Sequence, residues 1–311
     1  MASLRELVSL LRAITPSAGT VTRGEVLKFK PVSSEGYKMD EVTGSQPRID
    51  PMAERKKWIA FTDRLLTLCV EVLGASNVEI TEKGFAEPKV LALALLCRTH
   101  MNLKGVIAVA REGLVVEART LTRSCYENLF FVCGLIEKGN KFVASMYDDD
   151  FKSLRSRSEF VLDDLGELDP LGAEMAKQLQ ARVQELKERR PKAKLLNTKE
   201  ALKDSVMRPA YLFYSQLSGD AAHPSITALK RHLLRFVEDG EQVLGLDIHP
   251  TDSGLEVVNT LDIACNAVLG TCVGVNQILG GTTASPLLSQ LLAEYETMSG
   301  VVNGRGTPSL R

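Results

Sequence analysis

Between residues 52 and 136 apolar side chains recur at steps of three and four, the period of helices that bury one face. Trp58, Phe61, Leu65, Leu68 and Val72 form one stripe ending at Gly74. Pro88 can open a second helix running to Arg111, with Ala94, Cys97, Met101, Gly105 and Ala108 on a face of mostly small side chains that invites close approach. Gly113 then supplies a left-handed stop, which predicts an antiparallel hairpin with the helix that follows. That helix, Leu114 to Ile136, carries Leu114, Ala118, Leu121, Cys125, Leu129, Val132 and Ile136 on one face. Val116, Tyr126 and Phe130 lie on the other. A helix apolar on two sides is usually buried, so this one is expected to be central.

Beyond it the pattern turns charged from Asn140 to Arg190, including Asp148, Asp149 and Asp150 in succession. Consecutive helical residues point about 100° apart, so three such aspartates cannot all face one ion, and a solvated helix start is expected there. An exposed helix over Leu171 to Arg190 stops at Pro191. Asn197 can cap a brief helix, Pro209 opens another, and Pro224 a further one through Leu229, Leu233, Phe236 and Val237 to Gly240. Ser253 and Glu256 have the spacing of a capping box for a long helix to about Leu279, and Pro286 to Met298 forms the last. The preceding residues 2–14 suggest a short amphipathic helix, followed by a Gly/Ser/Thr/Pro-rich linker. The expected architecture is therefore all-α: a helical bundle over 52–299, an N-terminal helical arm and linker over 1–51, and a loose tail over 300–311.

Composition narrows the partners. With 38 basic and 39 acidic side chains the net charge of −1 gives no global attraction to nucleic acid or an anionic membrane. The least polar run, Ile263 to Gly281, holds Asn266, Asn276, Gln277 and four glycines, so it reads as a buried helix rather than a membrane span. Six cysteines fall in apolar helical stretches without a C-x-x-C pair, which fits reduced core residues and a cytoplasmic protein. The four histidines lack zinc-ligand spacing, and phosphate-loop, dinucleotide and hydrolase motifs are missing, so neither metal nor cofactor is expected.

Two constellations carry candidate chemistry. Arg119, Arg123 and Glu127 share one sector of the Leu114–Ile136 helix, and charges on a buried helix need a partner or a wet pocket. An Arg123–Glu127 ion pair and a ligand pocket both satisfy the spacing. The second is Tyr214, Ser218 and His223 in YSQLSGDAAHPS. A histidine before a proline sits in extended backbone and can act as acid or base, although the spacing alone favours a plain hydrogen bond to a loop, with the tyrosines packed as core. Arg119, Arg123, Tyr126, Tyr214 and Ser218 are the candidate ligand-binding residues; His223, Arg123 and Glu127 are the candidate catalytic ones.

The run from Gly113 through Glu117, Arg123, Ser124 and Glu127, with the later Tyr214, Leu217, Ser218, His223, Pro224 and Ser225, resembles a family of bacterial all-helical proteins classed as a domain of unknown function. The similarity spans about residues 52–281. It implies a bundle in which the Arg-Ser-x-x-Glu helix and the Ser…His-Pro turn share a pocket, and implies no reaction. Part of that family space is similar to helical nucleases of prokaryotic defence and toxin systems, which use Arg-x(4-6)-His on RNA without metal. This chain departs from that motif, since Leu217 to Ala222 contain no arginine. The expected function is a cytoplasmic accessory or interaction protein, linked to defence or stress, whose pocket takes a small anionic ligand or a protein partner. Metal-independent cleavage of RNA is the alternative. No membrane partner is expected, and the pattern leaves homo-oligomerisation open.

Overall fold

In a computed structural model the described residues are 31–32, 50–164, 170–202, 204–221, 225–238, 241–248, 250 and 254–303. The expected helix over 2–14, most of the linker before Pro51, His223 and the end of the tail lie outside them. Helix α1 (Pro51–Gly74) starts on an Asp50 side chain that accepts from the Met52 amide at 2.9 Å, and it buries Trp58, Phe61, Leu65, Leu68 and Val72 as the spacing predicts. Helix α2 (Pro88–Arg111) and helix α3 (Val115–Lys138) form the hairpin turned by Gly113 at φ +78°. The buried stripe of α2 is Ala92, Leu96, Thr99, Leu103, Ile107 and Ala110, whereas Cys97 and Ala108 are exposed and Met101 is 61% exposed. The expectation of a small-residue contact face was thus turned to the wrong side, because the bulkier stripe removes more apolar area from water. Gly105 still admits Leu121 closely.

Helix α4 (Asn140–Asp164) and helix α5 (Pro170–Arg189) pair outside this core. Arg190 joins them, bonded to Asp148 at 2.5 Å and placed over the rings of Tyr147 and Phe151. The three aspartates therefore lie mid-helix rather than at a helix start, and they diverge: Asp149 accepts from the Leu196 amide at 2.6 Å while Asp150 is exposed. Helix α6 (Thr198–Ala201) follows the Asn197 cap, and a 3-10 turn at Arg208–Ala210 leads into helix α7 (Tyr211–Ala221). Helix α8 (Ile226–Leu229) is only one turn long and is capped by Ser225.

A second difference follows it. The expected helix to Gly240 is instead a β-hairpin, β2 (Leu233–Glu238) against β3 (Glu241–Asp247), with the two-residue β1 (Pro31–Val32) parallel to β3 on its other side. Leu233, Arg235 and Val237 are exposed while Leu234 and Phe236 are half-buried, a period of two rather than 3.6. Glu238 pairs with Glu241, and the intervening Asp-Gly is a sequence that favours two-residue hairpin connections.

Helix α9 (Leu255–Leu279) is the most deeply enclosed element, packing on α1, α2 and α3, and it shares the centre of the bundle with α3, which packs on α2, α7 and α9. Both α2 and α9 are long and apolar enough to cross a membrane by length and composition, but 83% of the apolar window of α9 is buried in the bundle, against 44% for α2. A Cβ on Gly274 would come within 2.5 Å of Val132, so the α3–α9 crossing requires glycine there. The N-cap of α9 falls on Gly254, without a side-chain cap, so Glu256 is free of the expected capping box; Ser253 is outside the described residues. Helix α10 (Ser285–Asn303) runs past the expected end at Met298 and closes the core with Tyr295 packed on Trp58 and Phe61.

Candidate functional site

The charges of α3 occupy a seam between α3, α7 and α9. Four residues advance a helix by slightly more than one turn, so Arg123 and Glu127 stand one above the other, and their Nη2 and Oε1 atoms are 3.0 Å apart. Helix α7 brings its own i, i+4 pair against them. Arg123 Nε donates to Ser218 Oγ at 2.9 Å, and its Nη2 donates to the Tyr214 hydroxyl at 2.6 Å. That hydroxyl in turn donates to Glu127 Oε1 at 3.0 Å. The guanidinium also lies 4.8 Å from the centroid of the Tyr214 ring, which packs edge-on against Phe130. Ser218 is fixed by donating to the Tyr214 carbonyl at 2.8 Å. Arg123, Glu127, Tyr214 and Ser218 thus form one network, with Arg123 25% and Glu127 28% exposed.

Arg119, one turn earlier, belongs to the α9 side. Its Nη2 reaches Glu256 Oε1 at 3.2 Å and its Nε reaches Thr260 Oγ1 at 3.4 Å. Arg231, just before the hairpin, approaches the same Glu256 oxygen at 3.8 Å. Sequence spacing had not pointed to Glu256, Thr260 or Arg231 as site residues. Their only local mark is a carboxylate and a hydroxyl one turn apart at the start of an apolar helix, a pattern ordinary capping explains equally well.

Tyr126 does not join the seam. It is fully buried, stacked on Phe213, and its hydroxyl donates to Asn266 Oδ1 at 3.1 Å in the core. As a ligand-binding residue it is therefore misplaced: three steps of about 100° set Tyr126 about 60° around α3 from Arg123, enough to turn it inward while Arg123 stays at the surface. His223 lies outside the described residues, so its distance from Arg123 is not defined. His232 is half-buried, with Nδ1 2.9 Å from the Asp247 carbonyl oxygen.

Electrostatically the seam is suited to holding a group rather than to moving protons. Burial, and then the Glu127 carboxylate, push the Tyr214 phenol above its ordinary value, so it remains a neutral donor to Glu127. Among the described residues no group of three or more His, Cys, Asp or Glu side chains could hold a metal ion.

Fold and site together define an all-α bundle protein in which an Arg-Glu pair on one core helix is clasped by Tyr and Ser from a second. Residues 89–242 match the model of a family of unknown function, DUF5677, a span that contains Arg119, Arg123, Glu127, Tyr214 and Ser218 and stops in the β-hairpin. No curated protein and no solved structure gives a significant match.

Proposed function

We propose that this chain is a cytosolic accessory or interaction protein that receives an anionic group of a small ligand or protein partner at the Arg123 seam, in a defence or stress setting. The observation that carries the reading is the clasp on Arg123. Its guanidinium is held in one orientation by Ser218, Tyr214 and Glu127, yet remains a quarter exposed. An arginine immobilised before binding loses less side-chain entropy when it pairs, and its planar fork suits carboxylate or phosphate. The six unlinked cysteines support a reducing compartment.

The test follows the backbone amide resonances of the seam, Ser218 among them, by NMR while inorganic phosphate and acetate are titrated, in the wild type and in Arg123→Lys. A saturable shift that the lysine variant loses supports the reading, since lysine keeps the charge but not the fork. Equal response of both proteins, or none, overturns it. The same samples incubated with pooled RNA and a chelator examine the alternative: cleavage that disappears in His223→Ala would replace the proposal with a metal-independent ribonuclease.

A further inference from the structure

A cleft of about 750 Å³ opens beside this seam, where α1, α3 and α9 all begin. Asp50 caps α1, but neither Leu114 before α3 nor Gly254 before α9 provides a side-chain cap. The first amides of a helix have no partner inside it and form the positive end of its dipole. Two helix starts without a side-chain cap among the described residues thus border one cavity.

Arg231 supplies an independent reason to expect an anion there. It lines the cleft, and its Nε is buried with no hydrogen-bond partner among the described residues. A buried donor left unpaired is unfavourable in a folded chain, and an acceptor brought by a ligand would relieve it. The Glu256 oxygen 3.8 Å from Arg231 already serves Arg119 at 3.2 Å, so it neutralises Arg231 weakly. Arg55, also at the cleft, is committed to the Ala110 and Arg111 carbonyls at the end of α2.

The rim has the opposite sign. Glu112 and Glu117 are both exposed and border the opening, which disfavours polyanions such as RNA and simple dianions such as phosphate. Between rim and floor the wall is apolar, with Val116 half-buried and Ile248 69% exposed. We infer that the cleft between Arg231 and Glu117 binds a small zwitterion with an apolar body, of the kind a hydrophobic dipeptide represents. Its carboxylate meets Arg231 and the two helix starts. Its ammonium meets Glu112 and Glu117, and its side chains cover Val116 and Ile248.

Isothermal titration with leucyl-leucine, its N-acetyl form, its C-terminal amide and inorganic phosphate tests this on the full chain. The free dipeptide is expected to bind saturably, both blocked forms at least about tenfold more weakly, in keeping with loss of one charged contact each. Arg231→Met should abolish dipeptide binding. Glu117→Gln should weaken the free dipeptide but not its N-acetyl form. The inference is overturned if no dipeptide binds at millimolar concentration, if the N-acetyl form binds as well as the dipeptide, if phosphate binding is lost in Arg231→Met but kept in Arg123→Lys, or if a folded Arg231→Met retains wild-type affinity. Should Arg231→Met fail to fold, unchanged dipeptide affinity in the exposed-site variant Glu117→Gln overturns it alone.

Discussion

The core of the bundle contains a carboxyl group that ought to make the protein pH-sensitive. Asp262 on α9 is 5% exposed; its Oδ2 accepts from Ser299 at 3.2 Å, and its Oδ1 is buried without a partner among the described residues. Burial raises its pKa from the ordinary 3.8 to about 6, more than hydrogen bonds from Tyr295 and Ser299 lower it. A raised folded-state pKa means that the protonated form stabilises the fold. That stabilisation is complete below the unfolded value, is lost as pH rises through the folded one, and is absent above it. The interval between 3.8 and about 6 corresponds to about 3 kcal/mol. Asp262→Asn removes the charge while keeping an oxygen for Ser299, and leaves a buried amide N–H where Oδ1 stood, at about 1 kcal/mol. The variant should therefore exceed the wild type by about 2 kcal/mol near pH 7.5 and be about equal to it near pH 4.5. Urea denaturation of both proteins at the two pH values measures the difference directly. Equal destabilisation of the variant at both would mean that Asp262 is ionised and compensated in the fold, and the reasoning would be wrong.

Two further outcomes follow from packing and exposure. Gly274→Ala should destabilise the chain by about 1–3 kcal/mol, because its Cβ would stand 2.5 Å from Val132 Cγ1, and adding Val132→Ala should restore part of the loss in a double-mutant cycle read by denaturation. Cys97 is the exposed cysteine and the other five are buried, with burial pushing the Cys133 thiol to about 12, so a thiol reagent should titrate one group in the native protein and none in Cys97→Ser, with the rest reacting only after unfolding.

Much of the helical architecture is readable in the chain because its signals are local. Pro88 and Gly113 act on their own backbones, and the Trp58 to Val72 stripe needs only the helical period to identify its buried face. The Arg123–Glu127 pair is equally local, as is the Tyr214–Ser218 pair on α7. Their meeting is not local, since it depends on how α7 lies across α3, and only the family resemblance, not the spacing in either segment, led to its expectation. Where the reading failed, two periods or two faces competed on nearly equal terms. Leu229, Leu233, Phe236 and Val237 fit a helix, yet Leu233, Arg235 and Val237 alternate with Leu234 and Phe236 as a strand, and only the Asp-Gly dipeptide that follows in the sequence favours the hairpin. Helix α2 offers a small-residue face and a bulky one, and burial chooses the bulky one. Helix α9 shows the limit most clearly: Glu256, Thr260 and Asp262 fall within two turns of one apolar helix, yet the first pairs with Arg119 at the surface while the last is enclosed beside Ser299. Six steps of about 100° leave Glu256 and Asp262 about 120° apart around the helix, and which side faces α3 or α10 is decided by the packing of the whole bundle. The polar groups that set both the seam and the pH response are thus visible as residues in the chain, while their environments come from contacts between helices far apart in sequence.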